Sequence, residues 1–290
     1  MNTKIKEINI YLSKLISNPK YSIKMHENPH KFMIEHDISK ENKELIINFF
    51  KINGDKFVKS SILQKIRRMD GLISALPILY SYLGKEKFEC KFEEYFINLS
   101  FNDNVKKNPI FESVFFCRHI IKNTKDNIIK SIALYEKEKN KIIINLEVKT
   151  SDNEKENNGN EIENNEIPEA LLISNPTIRI IKFNIDILSL LSDINKNTSK
   201  ENYQKKSQRK KSKVLFYRKE NSNKVISLSI GNIIHHIILK SKKPILVSEL
   251  LEKTNELFNI DEGSVISTLK ILKEKKLISF NKKVIHNEKI

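Results

Sequence analysis

Seven histidines and two cysteines are the residues of this 290-residue chain best suited to metal or nucleophilic chemistry, and their spacing tests both. His26, His30 and His36 form the densest group. His26 and His30 stand four apart, an interval that sets two ligands on one helix face, but Asn28-Pro29 between them disfavours a continuous helical turn. Ordinary polar surface histidines are expected, and no metal ligand is assigned. His235 and His236 are adjacent and so about 100° apart around a helix axis, which suits one packed and one solvated ring. Cys117 and His119, in "FESVFFCRHII", are also set apart on a helix, and a buried structural cysteine is expected there. Cys90 and Cys117 form no spaced metal or redox motif, and the chain has no glycine-rich phosphate loop, nucleophile elbow or HExxH. No catalytic residue is assigned, which favours a binding protein over an enzyme.

The elements that would carry a binding site divide the chain in two. Apolar residues from Thr3 to about Lys137 recur at three and four, as in Ile5, Ile8, Leu12, Leu15 and Ile16, and later Leu45, Ile46, Phe49 and Phe50. An all-helical bundle over 1–138 is expected. Its breaks are placed at Asn18-Pro19, Asn28-Pro29, Asn53-Gly54, Asp70-Gly71, Gly84 and Asn108-Pro109, with a capped helix start at Ser39. Phe88, Phe92, Tyr95 and Phe96 have helical spacing and read as bundle core, with a partner contact as the other possibility. Arg67 and Arg68 read as a solvated helix end or as a contact for an acidic partner.

Over 139–290 the pattern changes to β-branched runs, "KIIINLEVKT" and "PTIRIIKFNIDI", and to "VLFYRKENSNKVISLS", two strands joined at Glu220 to Asn223. Three helices are expected at about 230–240, 247–258 and 262–276, the last capped by Asp261. Its core side is Val265, Leu269 and Leu272, with Ile266 beside them and Ser264, Ser267, Ile271 and Lys275 largely opposite. The fold class is therefore α+β: a helical bundle, then a winged-helix-like domain of about three strands and three helices. Polar stretches at about 151–167 and 195–213 are too poor in apolar residues to fold alone and read as mobile loops. The net charge of +16 favours an acidic partner, although lysines are scattered along nearly every segment. Charges within "MNTKIKEINIYLSKLIS" break up any signal-peptide core, and no apolar run reaches membrane-span length, so a cytoplasmic protein is expected.

"TIRIIKFNIDI", "VLFYRKE", "KVISLSIGNIIHHIIL", "ILVSELLEKTNELFNID" and "GSVISTLKILKEKKLISF" together resemble the small peptide-binding module typified by the pyrroloquinoline-quinone peptide chaperone, the recognition element of ribosomally made, modified peptides. "ISALPILYSYLGKEKFECKFEEYF" resembles the helical domain of partner proteins of multinuclear non-haem iron oxidative enzymes, among them the partner subunits of methanobactin-type synthases. "SNPTIRIIKFNIDI" resembles their domain junction, with Asn175 where His is common. The resemblance implies a non-catalytic subunit without a cofactor of its own. Such a subunit forms a heterodimer with an iron-dependent oxidase through the helical half, iron being held by the oxidase. It holds the leader of a precursor peptide so that the core reaches that iron. In the family the leader adds a strand beside the third strand and packs on the third helix, which here implies Lys224, Val225, Ile226, Ser227 and Leu228 together with Lys270, Ile271 and Lys275. The lysines would attract acidic leader residues and Ile271 would supply an apolar anchor; a merely solvated lysine face is the plain alternative.

The rival reading is a winged-helix DNA-binding transcriptional regulator, with "ISFNKKVIHNEKI" as wing and nucleic acid as partner. Against it, the middle of the third helix has no Arg, Asn or Gln for bidentate base contacts.

Overall fold

A computed structural model describes residues 3–36, 40–100, 108–149, 164–196, 210–218 and 224–281. The chain forms two compact units, Met1–Asn140 and Lys141–Ile290. The expected cap at Ser39, the turn Glu220 to Asn223 and most of both polar stretches lie outside the described residues.

The first unit is helical: α1 (Thr3–Ser17), α2 (Pro19–Glu27), α3 (Pro29–Glu35), α4 (Lys40–Ala75), α5 (Pro77–Leu83), α6 (Lys85–Ile97), α7 (Pro109–Asn123) and, up to Asn140, α8 (Asn127–Lys149). Three of these helices begin with the same Asn-Pro device. Asn18, Asn28 and Asn108 accept from the backbone N–H groups of Lys20, Lys31 and Ile110 at 3.1, 3.0 and 2.8 Å, while proline occupies the first helical position, where its missing N–H costs nothing. The core of α1 to α4 is built from Tyr11, Leu15, Met25, Phe32, Met33, Ile46, Ile47 and Phe50. Phe88, Phe92, Tyr95 and Phe96 are all buried, and Phe116 of α7 meets Phe88 and Tyr95 at 5.4 and 5.3 Å between ring centroids.

Several sequence expectations are corrected. No break occurs at Asn53-Gly54 or Asp70-Gly71, because α4 runs through both. Those glycines serve close helix packing instead: a Cβ on Gly54 would lie 2.1 Å from His26 Nδ1, and one on Gly71 would lie 2.8 Å from Cγ of Pro109. Glycine in a helix costs about 1 kcal/mol relative to alanine, and here the approach of α2 and α7 offsets it. Arg67 and Arg68 are accordingly not at a helix end. "KIIINLEVKT" is not a strand; its residues through Lys149 continue α8, whose helical period overrides the β-branched composition of a short run.

The second unit contains a 3₁₀ turn (Asn164–Glu169), β1 (Leu171–Ser174), β2 (Arg179–Phe183), α9 (Ile187–Asn195), β3 (Ser212–Arg218), β4 (Val225–Ser229), α10 (Asn232–Lys240), β5 (Ile245–Leu246), α11 (Val247–Phe258), α12 (Glu262–Glu274) and β6 (Ile278–Asn281). The acidic stretch therefore ends earlier than 167, since Ile167 of the 3₁₀ turn is buried in the core. "TIRIIKFNIDI" gives only the short β2 and then α9, which Asp186 caps by accepting from Ser189 N. The described strands number six, in two antiparallel sheets of order β2-β3-β4 and β5-β1-β6. One apolar cluster includes residues of β1, β3, α10, α11, α12 and β6, among them Leu172, Leu215, Ile237, Leu250, Leu269 and Phe280.

Candidate functional site: the β4 edge and helix α12

Among the described residues β4 is the end strand of its sheet and pairs on one side with β3, in the register Val214↔Ser229, Phe216↔Ser227 and Arg218↔Val225. The Ile230 N–H donates to Lys213 O at 2.9 Å, which fixes the hydrogen-bonded pairs of this ladder as every second residue from there: Leu215 with Leu228 and Tyr217 with Ile226. The backbone groups of Val225, Ser227 and Ser229 are then directed to the side of β4 away from β3. The side chains divide differently. Ile226 and Leu228 pack on the same cluster that holds Leu215 and Tyr217, so they fasten the strand to the core. Val225 and Ser227 lie on the opposite face and are half-buried, while Lys224 and Ser229 are exposed.

Helix α12 is fixed at both ends. Asp261 accepts from Ser264 N at 2.8 Å and Ser264 Oγ at 2.6 Å, and these hydrogen bonds lower its carboxyl pKa. At the other end Lys276 N donates to Lys273 O at 2.7 Å and Leu277 N to Leu272 O at 2.9 Å, with Lys276 left-handed at φ 56°. That is a Schellman closure whose following residue, Leu277, is buried. Asn175, in the turn between β1 and β2, braces the same end: its N–H donates to Leu277 O at 2.9 Å and its Nδ2 to Lys276 O at 3.3 Å. Its Oδ1 accepts from Thr177 N and Oγ1 at 2.9 and 2.7 Å, so an asparagine here builds the turn itself.

Val265, Leu269 and Leu272 bury the inner face of α12, and Ile266 packs beside them. Ile271 is 51% exposed, and Lys270, Lys273 and Lys275 are exposed too. Ile271 and Lys275 share a face one turn apart, whereas Lys270 lies about 100° round the axis from Ile271. Lys273 Nζ stands 5.6 Å from the centre of the Phe280 ring, so its flank of the helix is turned towards β6. A ligand on Ile271 and Lys275 would feel Lys270 through its field more than through contact. β4 and α12 thus pack on one core, through Ile226 and Leu228 on one element and Val265, Leu269 and Leu272 on the other. Which residues of the strand Lys224 to Ser229 turn their backbone outward cannot be read in the sequence, because side-chain types carry no signal of ladder phase.

The other chemical candidates are dispersed. His26 Nε2 pairs with Asp55 at 3.1 Å, the His36 ring packs at a tilt against Phe32 with centroids 4.3 Å apart, and His30 is exposed. His236 is buried with its ring 5.6 Å from Phe258, while His235 is less buried. Burial lowers the pKa of both. Cys117 is buried, and desolvation pushes its thiol well above the ordinary value, the opposite of what a nucleophile needs. Arg68 is not a surface cation for a partner: its guanidinium grips the buried Glu112 carboxylate through Nε (3.0 and 3.1 Å) and Nη2, and donates to Ser17 O at 2.6 Å. Among the described residues, no three His, Cys, Asp or Glu side chains are grouped to hold a metal ion, and no helix is long and apolar enough to cross a membrane. Comparison with known proteins finds no family model that matches the chain and no matching curated protein.

Proposed function

We propose that this chain is a peptide-recognition subunit that binds the leader of a ribosomally made precursor peptide and presents its core to an iron-dependent, peptide-modifying oxidase. The observation that carries this reading is the position of β4 at the end of its sheet, with backbone groups of Val225 and Ser229 directed outward, on the core that also seats α12. An extended peptide gains main-chain hydrogen bonds from such an edge, and side-chain contacts then set its register. β2, β3, β4, α10, α11 and α12 follow one another in the order of the module's three strands and three helices, with α9 between β2 and β3 and β5 between α10 and α11, and this order supports the reading. Exposed Ile271 supplies an apolar anchor, and Lys270, Lys273 and Lys275 supply a field for acidic leader residues.

The test is co-expression of the tagged chain with a candidate oxidase and the short precursor peptide encoded beside it, followed by native mass spectrometry. A stoichiometric complex that holds iron only when the oxidase is present is expected. In a titration of the leader, Ile271→Glu is expected to weaken binding about tenfold or more, roughly 1.4 kcal/mol, with the thermal midpoint unchanged. An unchanged dissociation constant would refute docking at α12. A chain that ignores both partners but shifts a promoter fragment at physiological salt would establish DNA binding instead.

A further inference from the structure

Helix α4 presents apolar residues on two opposite sides. Ile46, Phe50 and Leu72 are buried towards the bundle. Leu45, Ile52, Leu63 and Ile66 lie on the other side, all exposed, Ile52 to 81%. At about 100° per residue, Leu45, Leu63 and Ile66 fall within about 40° of Ile52 around the axis. From Leu45 to Ile66 the seam is about 31 Å long. A surface helix ordinarily turns a polar face to water, so a second apolar seam of this length marks a contact surface.

The charges along the seam decide what covers it. Lys56, Lys59 and Arg67 are exposed on or beside it, and none forms an ion pair with a described residue. Asp55 is engaged by His26, while Glu44 and Asp70 stand at the two ends. A second copy of this chain fits poorly. In-register parallel pairing sets Lys59 on Lys59, as does the antiparallel alignment that mates Ile52 with Ile66. Mating Ile52 with Leu63 sets Lys56 on Lys59, and mating Leu45 with Ile66 sets Ile52 against Lys59. Like charges at such a seam oppose association. A membrane surface fits poorly too, because the seam is narrow and interrupted by Lys59, where an interfacial helix presents a broad apolar face.

We propose that the outer face of α4 docks an amphipathic helix of another protein, one whose apolar seam is flanked by aspartate and glutamate. The docked helix covers Leu45, Ile52, Leu63 and Ile66, and its carboxylates meet Lys56, Lys59 and Arg67. The inference rests on the first unit alone and is independent of leader binding at β4.

Two designed, dye-labelled helical peptides of about four heptads, with the same leucine seam but Glu or Lys at the flanking positions, test it by fluorescence anisotropy against the full chain. The Glu peptide is expected to bind at least about tenfold more tightly than the Lys peptide and to weaken as salt rises. Ile52→Glu and Leu63→Glu are each expected to weaken it about tenfold or more while leaving the thermal midpoint unchanged, since both side chains are exposed. Equal affinity for both peptides, binding of neither, or indifference to both substitutions would overturn the proposal. So would dimerisation of the unmodified chain that Ile52→Glu abolishes, or capture by anionic phosphatidylserine vesicles that the same substitution abolishes.

Discussion

The helical unit keeps carboxylates inside, whereas the second unit has no buried carboxylate among its described residues, and its buried side chains are largely apolar. In the first, Glu112 lies between α4 and α7, and Glu136 reaches from α8 to the start of α5, where Leu76 provides no side-chain cap. Its carboxylate accepts from the N–H groups of Ile78 and Leu79 at 3.0 Å each. Asn140, one turn further along α8, donates to Ala75 O at 3.0 Å and to Ser113 Oγ at 2.7 Å. The bend between α4 and α5 is thereby held from both sides by one helix. In the second unit polar side chains work at element ends, as Asn175 and Asp261 do, and β4 ends its sheet among the described residues. Polar joints between helices demand one arrangement, while an apolar core can be closed and still present an edge strand for pairing.

The largest effect on this contrast is expected from Glu112→Ala, which strands the Arg68 guanidinium, itself largely buried. A loss of about 3–5 kcal/mol is expected in hydrogen-exchange protection of α4 and α7, with the amides of α10 to α12 unaffected. Equal loss in both units would erase the contrast.

Glu136 is expected to act through pH. Burial raises its carboxyl pKa from 4.5 to about 7, against the opposing pull of the two backbone donors. A raised carboxyl pKa means that the folded unit binds the proton more tightly than the unfolded chain does. Its contribution is present below pH 4.5 and is lost as pH rises through 7, by up to about 3 kcal/mol. Urea unfolding across that window is expected to show helical-unit stability falling with pH, and Glu136→Gln to flatten the slope; an unchanged slope would mean that other groups dominate.

The smallest effect belongs to the second unit. Lys276→Gly relieves the left-handed backbone at the end of α12 and is expected to stabilise it by about 0.5–1 kcal/mol, read as a higher denaturation midpoint. Destabilisation would show that the Lys276 side chain contributes more than the backbone strain costs.

Much of the chain was legible in its residue types. The Asn-Pro starts, the Asp261 cap and the core side of α12 follow from local chemistry, because a cap or an amphipathic face is specified within a few residues. So did the spans of α10 and α11, within two residues of the expected bounds. The failures were long-range. Gly54 and Gly71 read as breaks because their reasons, His26 and Pro109, are distant in sequence, and the β-branched run in "KIIINLEVKT" carried no mark of the helix it extends. Residue patterns specify an α+β chain with a helical first half and an apolar inner face on α12. Chain packing places β4 at the end of its sheet among the described residues, engages Arg68 internally and leaves a second apolar face of α4 exposed. Each depends on which distant segment comes to lie alongside, and no local pattern encodes that.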